Sequence, residues 1–290
     1  MRKSFRLIVT VLAIAIVLSL SGGILSYAQS EKYVVATSAD WPPFEWVDGN
    51  GNYVGFDMDV MRAIAIIEGY EIEIRDIGFD ALIPALKAGK VDILAAGLEI
   101  TPERTEVLDC SDHYWEIDQG VLVREDSDLN IISALSTSGN KVGAQRGTTQ
   151  AGWLEDNLVK KGVKIKLELY ETNDLGIMDL VNGRIDAYMA DTPAAAAFAK
   201  SNPIKIVGIV STGGKLAFYV QKNDSKKLLP RLNDGLKKLK GDTWDNLVDA
   251  YFTGDLTKIT KCYAQCSHYL TVEKDVTTYA KKLAECMTAK

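Results

Sequence analysis

Two stretches of this chain repeat one another. Lys87-Ala88-Gly89-Lys90-Val91-Asp92-Ile93-Leu94-Ala95-Ala96-Gly97 and Val181-Asn182-Gly183-Arg184-Ile185-Asp186-Ala187-Tyr188-Met189-Ala190-Asp191 read alike, 94 residues apart. Each copy ends a helix on a Gly cap, adds a basic residue and enters an apolar-Asp-apolar strand. Each is followed by a helix start, Thr101-Pro102 and Thr192-Pro193, with Thr suited to the N-cap and Pro to the first helical position. A strand-helix unit used twice at this distance predicts two similar α/β lobes. In open α/β sheets ligands sit beyond the carboxyl ends of the strands. Gly97 and Asp191, which end the two repeated strands, are therefore expected to face one crevice.

The pattern around the repeat agrees with alternating strands and helices. Asp48 to Asn52 is a turn cluster between two short strands, and Phe56, Val60, Ala63, Ile64 and Ile67 fall at helical spacing. A strand over Glu71–Arg75, a helix over Phe79–Ala88 and a doubly buried strand over Val91–Ala96 follow. The alternation runs to about residue 212, which predicts α/β with mostly parallel sheet. It closes with a strand at 206–210; then come a loop at 211–215, a strand at 216–220, and helices at 228–240 and 243–252. The residues from 256 to the end read as a helical hairpin turning near Leu270-Thr271.

Net charge of -6 gives no general attraction for nucleic acid or anionic lipid. Arg2, Lys3 and Arg6, the apolar run Leu7–Leu20 and Ser26-Tyr27-Ala28 read as a signal peptide over residues 1–28, with an uncleaved anchor as the alternative. No later segment approaches the ~18 apolar residues that a spanning helix needs.

Several residues at the predicted crevice carry chemistry. Arg104 falls at the third position of the helix capped by Thr101. A cation there opposes the helix dipole, at a few tenths of a kcal/mol to ~1. A ligand carboxylate held by the guanidinium fork would offset that cost. A salt bridge to Glu103, Glu106 or Asp109 would do the same. Gly147-Thr148-Thr149 opens a helix after a strand; its N–H groups and hydroxyls suit an anion, and Thr148 equally suits a simple cap. Asp191 can cap the next helix or accept an ammonium. Gly97 leaves room for close approach. Trp41, stiffened by Pro42-Pro43, and Phe79, which opens a helix, are candidate aromatic walls, with core packing as the alternative role.

Together these pieces resemble the family 3 solute-binding proteins, the polar amino-acid receptors of ABC importers. The matching motifs are Ala39-Asp40-Trp41-Pro42-Pro43-Phe44-Glu45, Gly55-Phe56-Asp57-Met58-Asp59, Ala96-Gly97-Leu98-Glu99-Ile100-Thr101-Pro102-Glu103-Arg104, Gly147-Thr148-Thr149 and Gly183-Arg184-Ile185-Asp186. The resemblance runs from about residue 33 to 255. It implies a two-lobed periplasmic-binding-protein-like fold of type II, with a hinge. Lobe 1 would span 31–118 plus 213–256, lobe 2 would span 119–212, and a C-terminal helical extension would span 257–290. By the same resemblance Arg104 with Thr148 and Thr149 would clamp an α-carboxylate. Asp191 and the Gly97 carbonyl would hold the α-ammonium, and Trp41 and Phe79 would sandwich the side chain. Ser38 stands where the family often has a ligand-contacting acid. Glu99 stands where many members have Ser or Thr. A carboxylate in a drying crevice needs a partner, either a cationic ligand side chain such as arginine or lysine, or Arg104 itself. The implied protein is an exported, periplasmic or extracellular monomer serving a membrane permease, with no cofactor, catalytic residue or nucleic-acid partner. A neutral polar ligand such as glutamine is one alternative, and a dehydratase-like enzyme acting on arogenate or prephenate is another.

The extension holds Cys262, Cys266 and Cys286. Cys262 and Cys266 share one helix face, and Cys286 levels more nearly with Cys262 on the return helix. A disulfide stapling the hairpin is expected; a zinc site of Cys262, Cys266, His268 and Cys286 is the alternative. Cys110 reads as a free core thiol.

Overall fold

The repeated aspartate ties each copy to its sheet. In the first copy Asp92 donates its N–H to the Val34 carbonyl (2.8 Å), and its carboxylate accepts the Val34 N–H (2.7 Å). In the second, Asp186 makes the same pair with Lys141, at 2.9 and 2.8 Å. Gly89 and Gly183, with φ of 67° and 69°, take the left-handed turn that precedes each strand. The echo in the sequence is thus a repeated device for locking a strand onto its neighbour.

The computed structural model describes residues 30–289; the expected signal peptide lies outside the described residues. From Lys32 onward the chain is one unit. It runs through β1 (Lys32–Thr37), the small sheet of β2 (Asp40–Trp41), β3 (Glu45–Val47) and β4 (Tyr53–Val54), and helix α1 (Phe56–Glu68). Then come β5 (Glu71–Asp76), α2 (Phe79–Lys87), β6 (Ile93–Leu94), α3 (Pro102–Val107) and β7 (Leu108–Cys110). The next half comprises β8 (Trp115–Arg124), α4 (Ile131–Ser136), β9 (Lys141–Gln145), α5 (Thr149–Leu154), β10 (Lys166–Tyr170), α6 (Asn173–Val181), β11 (Ala187–Asp191), α7 (Thr192–Ser201) and β12 (Ile204–Leu216). The chain then returns through β13 (Tyr219–Gln221) to α8 (Leu228–Leu239), α9 (Asp242–Val248), α10 (Ile259–His268) and α11 (Val276–Thr288).

Two five-stranded sheets result, ordered β5-β1-β6-β13-β7 and β10-β9-β11-β8-β12. In the first, β1 is parallel to β5 and β6, and β13 is antiparallel to β6 and β7. In the second, β9 is parallel to β10 and β11, and β8 is antiparallel to β11 and β12. The expected two-lobed α/β architecture is present, with mixed sheets. Helices cover the sheets; Ile64 of α1 meets Gly235 of α8, where a side chain would clash with it. Among the described residues no helix is long and apolar enough to cross a membrane.

Three expected boundaries differ. The strand foreseen over Val91–Ala96 is regular only at Ile93–Leu94, because Asp92 serves the lock on Val34 and Gly97 turns the chain with φ 53°. The loop foreseen at 211–215 belongs to β12, which follows β8 with register shifts between Ile206/Gly208 and Val210/Gly214. Asp118 satisfies the bulged residues, accepting from Thr212 N (2.9 Å), Gly213 N (3.1 Å) and Ser211 Oγ (2.9 Å). The terminal hairpin turns at Lys274, in a left-handed conformation, a few residues later than expected.

The extension is fused to the core. Tyr279 of α11 and Tyr251 both donate to the buried Asp59 carboxylate of α1, which also pairs with Arg62 at 2.9 Å. Tyr263 of α10 lies beneath the Arg62 guanidinium, 5.6 Å from ring centroid to Cζ. Cys262 and Cys286 form a disulfide. That bond consumes two ligands of the alternative zinc site, which is thereby ruled out. Cys266 is a buried free thiol, and Cys110 is free and half-buried rather than a core thiol.

Candidate functional site

All nine residues singled out from the sequence line one cavity: Ser38, Trp41, Phe79, Gly97, Glu99, Arg104, Thr148, Thr149 and Asp191. The non-atom space among them, counted out into open solvent at the mouth, is about 430 Å³. The strand-end rule explains why. Gly97 follows β6 and Asp191 ends β11, as the repeat implied.

Arg104 occupies the expected helix position, its N–H capped by Thr101 Oγ1 at 3.3 Å. None of the three foreseen salt bridges forms. The guanidinium donates instead to two carbonyls, Glu99 O (2.9 Å) and Gly147 O (3.3 Å), and lies over the Phe79 ring at 5.9 Å. It is the guanidinium of the cavity wall, and burial pulls its pKa below the ordinary value.

Glu99 does not pair with Arg104 through its carboxylate. That carboxylate accepts from Gln119 Nε2 (3.0 Å) and from the Thr149 hydroxyl. Gln150 Nε2 in turn donates to Gln119 Oε1 at 2.6 Å. Thr148 acts as a helix cap, accepting from Ala151 N at 3.3 Å and donating to Gln145 O at 2.7 Å. Both threonine hydroxyls thus have protein partners, which leaves backbone N–H groups at this helix start for an anion.

Asp191 sits at the N-cap of α7 but makes no capping bond with its side chain. Its Oδ1 is buried without a hydrogen-bond partner. Burial, reinforced by Glu99, pushes its pKa up to about 8, against the pull of the Gln119 and Gln150 amides and of Arg104. Gly97 has a more specific role than leaving room for a ligand. A Cβ there would overlap the Trp41 ring, so the glycine lets Trp41 stand at the wall. Trp41 also stacks on Phe44, centroids 4.3 Å apart, so it is both core and wall.

Six polar residues at the site were not foreseen from the sequence. Asp40, Glu45, Gln145, Gln150 and Asn173 line the cavity, and Gln119 orders Glu99 from behind. Gln145 ends β9, so the strand-end rule could have found it. Asp40 and Gln150 adjoin residues that were chosen. Gln119 lies mid-strand and gives no signal. Glu45 is buried with Oε2 unpartnered; burial, then Asp57, Asp40 and Asp191, hold its pKa well above the ordinary carboxyl value. Behind it Asp57 accepts from Tyr114 Oη (2.6 Å) and Gly97 N (3.1 Å), and burial lifts its pKa to about 7 against those bonds. Among the described residues no group of three or more His, Cys, Asp or Glu is placed to hold a metal ion.

The cavity therefore offers one guanidinium for an anionic group and several carboxylates for cationic ones, between aromatic walls. Such a site grips a small zwitterion by charge-assisted hydrogen bonds.

The model of the bacterial extracellular solute-binding proteins, family 3, matches residues 33–254. The ABC transporter arginine-binding protein 1 of Escherichia coli (strain K12) is 31% identical over 230 residues, covering 77% of this chain and 91% of that protein. The solved structure of an ancestral arginine-binding protein bound to arginine is 35% identical, with a TM-score of 0.71, and spans 76% of this chain and 98% of its own. An ancestral amino acid-binding protein described as a precursor of cyclohexadienyl dehydratase is 36% identical, with a TM-score of 0.69, and spans 76% and 95%.

Proposed function

From the premise that this chain belongs to the bacterial extracellular solute-binding proteins of family 3, we infer that it captures an amino acid and delivers it to the permease of an ABC importer, with a cationic ligand such as arginine or lysine preferred. Arg104 and the helix start at Thr148 and Thr149 receive the α-carboxylate. Asp191 and the Gly97 carbonyl receive the α-ammonium. Trp41 and Phe79 flank the side chain, and Ser38 lies at its edge. The observation that carries this reading is the charge imbalance of the cavity, whose lining sets one arginine, Arg104, against Asp40, Glu45, Glu99 and Asp191. Buried carboxylates are costly unless paired or protonated, and a ligand with a second cationic centre supplies the missing charge. The lobes are 31–118 plus 213–256 and 119–212, and they close over the ligand. The chain acts as a monomer outside the cytoplasm, after export directed by residues 1–28, and performs no catalysis.

Calorimetric titration with arginine, lysine, histidine, glutamine and glutamate tests the reading. Arginine or lysine should bind most tightly. Glutamate binding tighter than both would overturn the charge argument, and binding of none would overturn amino-acid capture. The raised pKa of Asp191 and the relative described as a dehydratase precursor favour a second reading, in which a protonated cavity carboxyl serves as a general acid. Turnover of arogenate or prephenate would support it.

A further inference from the structure

Glu99 was the acid expected to meet a ligand's extra positive charge, but its surroundings argue otherwise. The Arg104 guanidinium donates to the Glu99 carbonyl at 2.9 Å, and the charges of both residues act on Asp191. Glu99 therefore stands at the end of the cavity assigned to the α-groups. Asp40 marks the other end. Its carboxylate meets Asn173 and Gln145 and bonds to neither Arg104 nor Asp191; the leading charges on it are those of Asp174 and Asp76, both negative, and it acts in turn on Glu45.

Asp40 is also held in a fixed pose. Its carboxylate accepts from Asn173 N (2.7 Å), Asn173 Nδ2 (3.4 Å) and Gln145 Nε2 (3.2 Å). The amide oxygens of those residues are occupied, Gln145 Oε1 by Asn173 Nδ2 and Asn173 Oδ1 by the Tyr188 hydroxyl, both at 2.9 Å. The amides are thereby forced to turn their N–H groups towards Asp40. All these donors belong to the second half of the molecule, whereas Asp40 sits on β2, beside Trp41.

We propose that Asp40 reads the charge at the far end of the ligand's side chain, so that Asp40, rather than Glu99, makes the site prefer a cationic amino acid. A guanidinium or ammonium reaching this end meets an oriented carboxylate in a cavity that the Trp41 ring also lines, and gains a charge-assisted hydrogen bond. A neutral amide end meets the same carboxylate without charge neutralisation. The inference rests on the amino-acid reading of the cavity.

The test compares dissociation constants for arginine and glutamine in the wild type, in Asp40→Asn and in Glu99→Gln. Asp40→Asn should weaken arginine by about tenfold or more and glutamine by no more than about threefold. Glu99→Gln should change both alike. If Asp40→Asn weakens both ligands equally, or leaves their ratio intact, the inference is overturned while amino-acid capture stands. If the wild type binds neither, both fall. Should Asp40→Asn fail to fold, the wild type alone decides through pH. Burial raises the Asp40 pKa to about 6, opposed by Asn173 and reinforced by Asp174 and Asp76. The titratable groups facing it are thus Asp76, Asp174, Glu45 and Tyr188. The preference for arginine over glutamine should shrink as pH falls through about 6. Asp191 acts on the α-ammonium common to both ligands and cancels from the ratio. A preference unchanged from about pH 5 to about pH 7.5 overturns the inference.

Discussion

At the scale of single residues, Gly97 has the sharpest consequence. It combines a left-handed φ of 53° with a space already filled by Trp41. Gly97→Ala should cost about 3 kcal/mol, from strain at positive φ and overpacking together. It should also weaken arginine binding, because Trp41 must move. Urea unfolding and calorimetry check both, and a variant with wild-type stability and affinity would refute the account. The residues legible from sequence were those with a positional rule: strand ends (Gly97, Asp191), a helix cap register (Arg104), a proline-stiffened loop (Trp41). Glu45 and Gln119 were not legible. Burial of an acid or amide is decided by which segments pack over it, and nothing in its own neighbourhood of sequence records that.

At the scale of elements, the C-terminal hairpin should contribute stability without contributing to binding. The disulfide between Cys262 and Cys286 closes a loop with a sequence separation of 24, for which chain entropy predicts about 3 kcal/mol. The double variant Cys262→Ser, Cys286→Ser should lose about that much stability while its arginine affinity stays within about twofold, since no described residue of the hairpin lines the cavity. A large loss of affinity would refute the separation. Helices such as α1 and α8 were legible because their apolar spacing is strong. The bulged stretch of β12 was not, because Ser211-Thr212-Gly213-Gly214 has loop composition. It is a strand only because β8 pairs alongside it and Asp118 satisfies its bulge.

At the scale of the whole molecule, the cavity is an electrostatic burden. Asp40 and Asp191, which line it, have pKa values raised to about 6 and 8 from 3.8, and Asp57 behind it is raised to about 7, chiefly by burial. A carboxyl whose pKa is raised binds protons more tightly when buried, so it favours the buried state at low pH. That contribution is lost as pH rises through the raised values. The ligand-free protein should therefore be more compact near pH 5 than near pH 8.5 by small-angle scattering, and arginine should abolish the difference. An unchanged radius would count against it. The two α/β halves were legible from the internal repeat, whereas the closeness of so many acids was not: Asp40, Glu45 and Glu99 come from separate segments of one half and Asp191 from the other, and only the folded chain brings them to one cavity. Among the described residues the chain passes between the two sheets only at residues 110–115 and 216–219, where β8 and β12 run side by side. In mechanical terms this twin-stranded ribbon is a flexure and not a pin joint. It resists shear through its rungs and yields to torsion, so the cleft should open with a twist about the ribbon's long axis.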